Sequence, residues 1–131
     1  MSKQEVVTMN TPVPQHAAVW FEIPVADQAR AKAFYSAVTG NPLHDEEGGQ
    51  NPMARFAAAD RDSVAGHVYP GKPAVPGTGP TIHLAVDNVE AAIGRVAANG
   101  GTVVSPVISI PAGRFAYCLD PDGNSIGVFS S

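Results

Sequence analysis

Cysteine, long apolar runs and clustered positive charge are all scarce in this sequence, and each shortage excludes a class of protein. Cys118 is the single cysteine, so the chain has no internal disulfide framework. No run approaches the roughly 18 apolar residues of a membrane span, and the N-terminus lacks the apolar segment of a secretory signal. With 8 basic and 12 acidic residues, a net charge of −4 and no basic cluster, nucleic-acid binding is not expected. We therefore expect a cytoplasmic protein that binds neither nucleic acid nor membrane.

The apolar content is sufficient for one compact domain, or for two half-size modules that share a core. Of 131 residues, 44% are hydrophobic. The first fifteen residues mix polar side chains with two prolines, which is typical of an extended arm. The stretch "PGKPAVPGTGP" is rich in proline and glycine and predicts a loop. We expect an arm over 1–15, a first module over 16–70, a linker over 71–80 and a second module over 81–131.

The first module has the pattern of a strand, a helix and three further short strands. The aromatic and β-branched residues from Val19 to Val25 predict a buried strand. Asp27 is placed to cap the helix "DQARAKAFYSAVTG", and Gly40 suits the left-handed position that ends it. Strand candidates follow over 42–46, 53–59 and 63–69, with turn residues between them.

The same order of elements restarts after the linker. "TIHLAVD" predicts a strand, and "DNVEAAIGRVAANGG" predicts a helix in which Asp87 and Glu90 are spaced as a capping box. "TVVSPVISI", interrupted at Pro106, precedes the strands "RFAYCL" and "SIGVFS", which the turn "DPDGN" joins. A shift of 61 residues relates the halves, which indicates a duplicated module. It pairs Val25 with Val86, Glu22 with His83, Trp20 with Thr81, and Gly66 with Gly127.

This duplicated βαβββ pattern resembles the vicinal oxygen chelate superfamily, which includes glyoxalase I, extradiol dioxygenases, fosfomycin-resistance proteins and bleomycin-binding proteins. The motifs "PVADQARAKAFYSAVTG", "VDNVEAAIGRVAANGG" and "RFAYCLDPDGNSIGV" carry the resemblance, which covers residues 17–130. It implies an α+β fold: two βαβββ modules forming a cupped, mostly antiparallel sheet, with helices on the outer face. Members of this family often form dimers, so the resemblance also implies a homodimer that would cover an apolar sheet edge.

Enzymatic members of the family hold a divalent metal with His, Glu or Gln ligands from the first and last strands of each module. The resemblance carries these four positions onto Trp20, a residue at or beside Gly66, Thr81 and Gly127. An indole nitrogen only donates hydrogen bonds, and glycine has no side chain, so this set does not supply three or four ligands. We therefore expect no cofactor and no metal, and a divalent metal would need a nonstandard site.

Glu22 and His83 each place an ionisable group in an otherwise apolar strand. Residues i and i+2 of a strand share a face, so Glu22 lies on the face of Trp20, and His83 on the face of Thr81. If those positions face the cavity, Glu22 and His83 form its polar floor. Three interpretations remain open. In the first, the two groups form a buried hydrogen-bonded pair, or each has a backbone or tyrosine partner. In the second, they anchor the polar group of a ligand that stacks on Trp20. In the third, they act chemically as an acid–base pair or as nonstandard metal ligands with His67.

Other singled-out residues have both a structural and a functional interpretation. His67 alternates with Gly66 along its strand, so it is predicted to point away from the cavity. Arg55 and Arg114 occupy equivalent strand positions, where a structural ion pair is favoured over anion binding. Cys118 is predicted to be a small buried side chain rather than a nucleophile.

Two functions of different class follow from these observations. The first is a metal-independent small-molecule binding protein that holds an apolar or aromatic ligand between the modules, with Trp20, Glu22, Thr81 and His83 as ligand-binding residues. The second is a glyoxalase-like lyase or isomerase in which Glu22 and His83 are catalytic, as an acid–base pair or as nonstandard metal ligands. The departures from the metal-binding pattern favour the first.

Overall fold

The described part of the chain folds into two β-sheets and two helices. The structure, a computed structural model, describes residues 11–46 and 52–131, so most of the predicted arm and the turn at 47–51 lie outside the described residues. The first half contains β1 (Trp20–Val25), α1 (Gln28–Thr39), β2 (His44–Glu46), β3 (Met53–Arg55) and β4 (Ala65–Pro70). The second half contains β5 (Ile82–Ala85), α2 (Val89–Ala98), β6 (Thr102–Val103), β7 (Ile108–Ile110), β8 (Gly113–Leu119) and β9 (Ser125–Ser130).

Each half contributes one mixed sheet. The first has the order β1-β4-β3-β2, with β1 parallel to β4 and the other pairs antiparallel. The second has the order β5-β9-β8-β6, with β5 parallel to β9, and β7 also pairs with β8. Pro106 lies between β6 and β7, where its missing N–H costs no ladder hydrogen bond. The predicted α+β fold is confirmed, with two sheets and two helices.

Local capping chemistry fixes both helices. The Asp27 carboxylate accepts a hydrogen bond from the Arg30 N–H at 3.0 Å, and Gly40 ends α1 with a φ of 81° in the left-handed region. In α2 the predicted capping box is wrong by one residue, because Asn88 is the cap and accepts from the Ala91 N–H at 2.8 Å. Among the described residues, neither helix is long and apolar enough to cross a bilayer.

A shared core lies between the helices and one face of each sheet. Strand residues that point toward the helices are buried, and they pack with the buried faces of α1 and α2. The largest fully buried side chains are Tyr35, Phe34, Ile126, Val25, Val38, Val68, Val89, Val96, Val128 and Cys118. The opposite face of each sheet, which we call the open face, carries the alternate strand residues, including Trp20 and Glu22 in β1.

The register of the strands shows that the two halves are not related by one constant shift. The observed helix caps, Asp27 and Asn88, are 61 residues apart, which equals the predicted shift although the predicted second cap was Asp87. In contrast, β4 begins at Ala65 and β9 at Ser125, an offset of 60. The predicted pairing of Gly66 with Gly127 is therefore wrong. The residue that corresponds to Gly127 is His67, since Glu22 lies opposite His67 in the first sheet and His83 lies opposite Gly127 in the second.

The turn between β8 and β9 joins the two halves. Asp122 forms an ion pair with Arg30 of α1 at 2.7 Å, and the Asn124 side-chain amide donates to the carbonyl of Pro24 at 2.8 Å. Buried Asp120 accepts from the Tyr35 hydroxyl at 2.6 Å. Burial and the Asp120 charge raise the pKa of Tyr35 well above its ordinary value, so its hydroxyl remains the donor. This network connects the β8–β9 turn of the second half to α1 and to the end of β1 in the first half.

Candidate functional site

Trp20, His67 and Glu22 form a row of polar contacts on the open face of the first sheet. The Trp20 indole donates to Nδ1 of His67 at 2.9 Å, and Nε2 of His67 lies 3.4 Å from a carboxylate oxygen of Glu22. Because an indole only donates, Nδ1 of His67 acts as the acceptor, and a neutral imidazole then carries its proton on Nε2. The row therefore runs from indole through imidazole to carboxylate.

This row corrects two sequence predictions. His67 was predicted to point away from the cavity because Gly66 was assigned to the face of Trp20 and Glu22. The parallel register of β1 and β4 instead places His67 opposite Glu22 and on that face, while His67 is not part of the lining of the cavities described below. Glu22 was predicted to lie in a buried strand, but β1 is an edge strand and the Glu22 side chain is 63% exposed. No hydrogen bond or ion pair joins Glu22 to His83 within residues 11–46 and 52–131, so the interpretation of these two as a buried pair is wrong.

His83 lies on the open face of the second sheet among aromatic rings. Its ring centroid is 5.2 Å from that of Phe115, 5.7 Å from that of Tyr117 and 6.2 Å from that of Phe129, all in edge-to-face geometry. Gly127 lies opposite His83, and a side chain there would collide with the imidazole. Partial burial lowers the pKa of His83 below its ordinary value, so the imidazole is neutral at pH 7.

A groove between the first strands of the two halves contains three of the four predicted ligand-binding residues. Trp20, Thr81 and His83 line a cavity of about 550 Å³, within the usual size range of small-molecule sites. The Thr81 and Ser125 hydroxyls are hydrogen-bonded to each other at 2.6 Å. Sequence reasoning missed Phe21 and Phe56, which also line this cavity and whose ring centroids are 5.2 Å apart. Both belong to apolar runs that a sequence assigns equally well to the core.

Two further cavities adjoin the same strands. One, of about 490 Å³, lies over the open face of the second sheet and is lined by His83, Ala85, Ile110, Phe115 and Phe129. The other, of about 190 Å³, lies between β1, β9 and the linker, and Glu22 is part of its lining. Glu22 is thus separated from the cavity of Trp20 and His83, although Ile82 lines both.

The residues at the family's four metal positions do not suit a divalent cation. With the corrected register these positions are Trp20, His67, Thr81 and Gly127. They offer an indole, an imidazole and a hydroxyl, and Gly127 offers no side-chain ligand. The imidazole's Nδ1 already accepts from Trp20, and the hydroxyl is bonded to Ser125. Across the described residues no three His, Cys, Asp or Glu side chains are grouped as a metal site requires.

The remaining candidates have structural partners. Arg55 bonds Glu46 at 3.1 Å, and Arg114 forms a two-pronged ion pair with Glu90, so neither arginine is free to hold an anion. Cys118 is fully buried, and burial raises the pKa of its thiol to about 11. A thiol in that environment is not a nucleophile at neutral pH.

Known proteins with the same fold confirm the family. Residues 15–128 match the model of the Glyoxalase/Bleomycin resistance protein/Dioxygenase superfamily. CFP32 of Mycobacterium tuberculosis is 31% identical over 117 residues, which are 86% of this chain, and the chain spans 44% of that protein's length. A glyoxylase-like domain-containing protein of Didymella fabae is 30% identical over 112 residues, 79% of this chain and 85% of that protein.

Two solved structures show the same architecture. TnmS3, an antibiotic binding protein from Streptomyces sp. CB03234, is 29% identical with a TM-score of 0.64, covering 91% of this chain and 98% of its own. A glyoxalase/bleomycin resistance protein from Albidiferax ferrireducens T118 shares the fold at 24% identity and a TM-score of 0.70, covering 88% and 99%. The chain belongs to the glyoxalase/bleomycin resistance protein/dioxygenase superfamily.

Proposed function

We propose that this protein binds a small apolar or aromatic molecule in the groove between β1 and β5, without a bound metal. The observation that carries the proposal is the replacement of the family's ligand set by Trp20, His67, Thr81 and Gly127 beside a cavity of about 550 Å³. Most of the side chains that line this cavity are apolar. A site of this composition suits desolvation of an apolar ligand better than coordination of a cation.

The three predicted ligand-binding residues that line the groove have distinct roles in this proposal. Trp20 is 45% exposed and lines the groove, so its ring forms a wall against which a planar ligand stacks. Such aromatic contacts add about 0.5–1.5 kcal/mol beyond area burial. His83 offers a neutral imidazole to a polar group of the ligand, and Thr81 supplies a hydroxyl at the edge.

The relatives support binding as the activity. TnmS3 is named as an antibiotic binding protein, so at least one protein with this fold and 29% identity acts by holding a small molecule. We extend that activity to this chain on the basis of its groove and leave the ligand's identity to experiment.

A lyase or isomerase is the second candidate, and one contact favours it. The predicted pair was Glu22 with His83, whereas the structure brings Glu22 to within 3.4 Å of Nε2 of His67. A carboxylate beside an imidazole is a common acid–base arrangement. The Didymella fabae relative is named glyoxylase-like, which agrees with chemistry of this class.

Thermal stability in the presence of ligands tests the proposal. A set of neutral bicyclic and tricyclic aromatic compounds would be screened with and without EDTA, and binding to the folded protein raises Tm. We expect shifts that persist in EDTA and disappear in Trp20→Ala. Stoichiometric Ni, Zn, Fe or Mn retained after dialysis, with shifts abolished by EDTA, would favour the enzyme instead.

The proposal also includes a homodimer in the cytoplasm. The open face of the second sheet leaves Ile110 44% exposed and Tyr117 38% exposed beside Phe129, and a second subunit would cover such an apolar face. A cytoplasmic location is consistent with the lone buried cysteine. Light scattering coupled to gel filtration measures the mass directly, and a monomer at micromolar concentration would contradict the dimer.

A further inference from the structure

The described side chains that line the cavities along β1 and β5 include a negative charge and no positive one. Among the described residues that line the three cavities, Glu22 is the only one with a formal charge at neutral pH. No lysine or arginine is part of these linings. Partial burial lowers the pKa of His83, which favours its neutral form. The potential is therefore negative at the Glu22 end of these adjoining cavities, and their described linings supply no compensating cation.

The Glu22 carboxylate is available to a ligand. Its side chain is 63% exposed, and its one ion-pair partner in the described part of the chain is Nε2 of His67, at the long distance of 3.4 Å. Glu46 and Glu90, by comparison, each bond an arginine directly. Glu22 thus retains carboxylate lone pairs that can accept hydrogen bonds from a ligand.

Trp20 and Glu22 are spaced for one small molecule. They lie two residues apart on the same face of β1, about 6–7 Å along the strand, and both contact His67, which holds their relative positions. The cavity of Trp20 and the cavity of Glu22 share Ile82 in their linings. Because the indole N–H is bonded to His67, the part of the ring that remains for a ligand is its π face, which attracts cations.

We propose that the groove selects aromatic ligands that carry a positively charged amine, with the ring against Trp20 and the ammonium group at the Glu22 carboxylate. This inference rests on the proposed function and deepens it by assigning the charge of the ligand. An anionic ligand of the same shape is disfavoured, because it meets Glu22 and finds no basic side chain among the described residues that line these cavities.

Three probes with one ring system test the selection. The affinities of 2-(2-naphthyl)ethylamine, 2-(2-naphthyl)ethanol and 2-naphthylacetate would be measured by calorimetry at pH 7. We expect the amine to bind about three- to tenfold more tightly than the alcohol, and the carboxylate more weakly than the alcohol, as an ion pair at a partly exposed site allows. Raising the salt concentration should reduce the advantage of the amine.

Two variants distinguish the effect of the Glu22 carboxylate on affinity from the effect of general surface charge. In Glu22→Gln the amine and the alcohol should bind equally, whereas in Glu46→Gln, which removes a carboxylate bonded to Arg55 outside these cavities, the ratio should stay as in the unmodified protein. A carboxylate probe that binds as well as the amine, or an amine advantage that survives in Glu22→Gln, would overturn the inference while leaving the proposed function intact. Failure of all three probes to bind would overturn both.

Discussion

The indole nitrogen of Trp20 donates a 2.9 Å hydrogen bond to Nδ1 of His67 across two parallel strands. The bond commits the indole's single donor, fixes the tautomer of the imidazole and directs Nε2 toward Glu22. Trp20, where the resemblance implies a metal ligand, is thereby a side chain with a structural partner. The arrangement makes the orientation of Trp20 dependent on His67, and that dependence is measurable.

Removing the imidazole should release the indole. In His67→Ala we expect greater acrylamide quenching and lower anisotropy of fluorescence, and a loss of about 0.5–1.5 kcal/mol in the free energy of unfolding, since one hydrogen bond and its packing are lost. Trp20 is the single tryptophan, so the emission reports on it alone. His44→Ala, which removes an exposed imidazole from β2, is the matched control. Unchanged quenching in His67→Ala would show that the bond does not hold the ring.

Glycine-to-alanine substitutions should differ according to what surrounds each glycine. A methyl group at Gly66 would collide with the Phe21 ring and backbone, so Gly66→Ala should destabilise the protein by about 1–3 kcal/mol. Gly94 lies within α2 with open space around it, so Gly94→Ala should stabilise by about 0.5–1 kcal/mol. Urea denaturation measures both changes. Equal effects at the two positions would contradict the strand packing described here.

Acidification should destabilise the protein through His83. Because its folded pKa lies below the ordinary value, the unfolded chain binds the proton more readily, and stability falls as pH drops below about 6.5. Urea midpoints measured between pH 5 and pH 8 should show this decline, and His83→Gln should show a shallower one. Identical profiles for the two proteins would mean that the aromatic rings do not desolvate the imidazole.

The Cys118 thiol should be unreactive in the folded protein. It is fully buried and its pKa is raised to about 11, so almost no thiolate exists at pH 7.5. A thiol reagent such as DTNB should label less than one tenth of the protein in an hour under native conditions, and all of it in 6 M guanidinium. Rapid native labelling would place the thiol outside the core.

The packing of the two halves against each other should depend on the hydrogen bond from the Tyr35 hydroxyl to Asp120. Tyr35→Phe removes the 2.6 Å hydrogen bond to buried Asp120 and should cost about 1–3 kcal/mol, the usual contribution of a hydrogen bond to a charged group. Asp120 keeps its bonds from Asn124 and from the Asp122 N–H. Tyr69→Phe, at a half-buried position in β4, should change stability by less than about 0.5 kcal/mol. Calorimetric unfolding measures the stability of both variants. Equal stabilities would show that the bond between Tyr35 and Asp120 contributes little to the stability of the fold.

Features with a local physical cause could be predicted from the sequence. Asp27 caps α1 and Gly40 ends it as expected, because side-chain capping and the left-handed conformation depend on a few adjacent residues. The duplicated order of elements could also be predicted, since hydrophobic periodicity changes visibly between strands and helices. The predicted cap at Asp87 was wrong because Asn88 serves equally well one residue later.

The assignment of the site failed where it depended on register. The halves differ by one residue between the helix and the last strand, and a shift of one residue exchanges the two faces of a strand. Because of that shift, the sequence comparison paired Gly66 with Gly127, whereas His67 is the residue that corresponds to Gly127. The exposure of Glu22 could not be predicted either, because the sequence of a strand does not show whether it lies at the edge of its sheet.

By itself the sequence determined the family, the duplicated modules and three residues of the groove, Trp20, Thr81 and His83, because these follow from patterns within short segments. Only the tertiary structure decided that His67 joins Trp20 to Glu22 and that Glu22 lines a cavity of its own. The reason is that pairing between strands far apart in the chain sets which side chains meet, and no local pattern encodes that register.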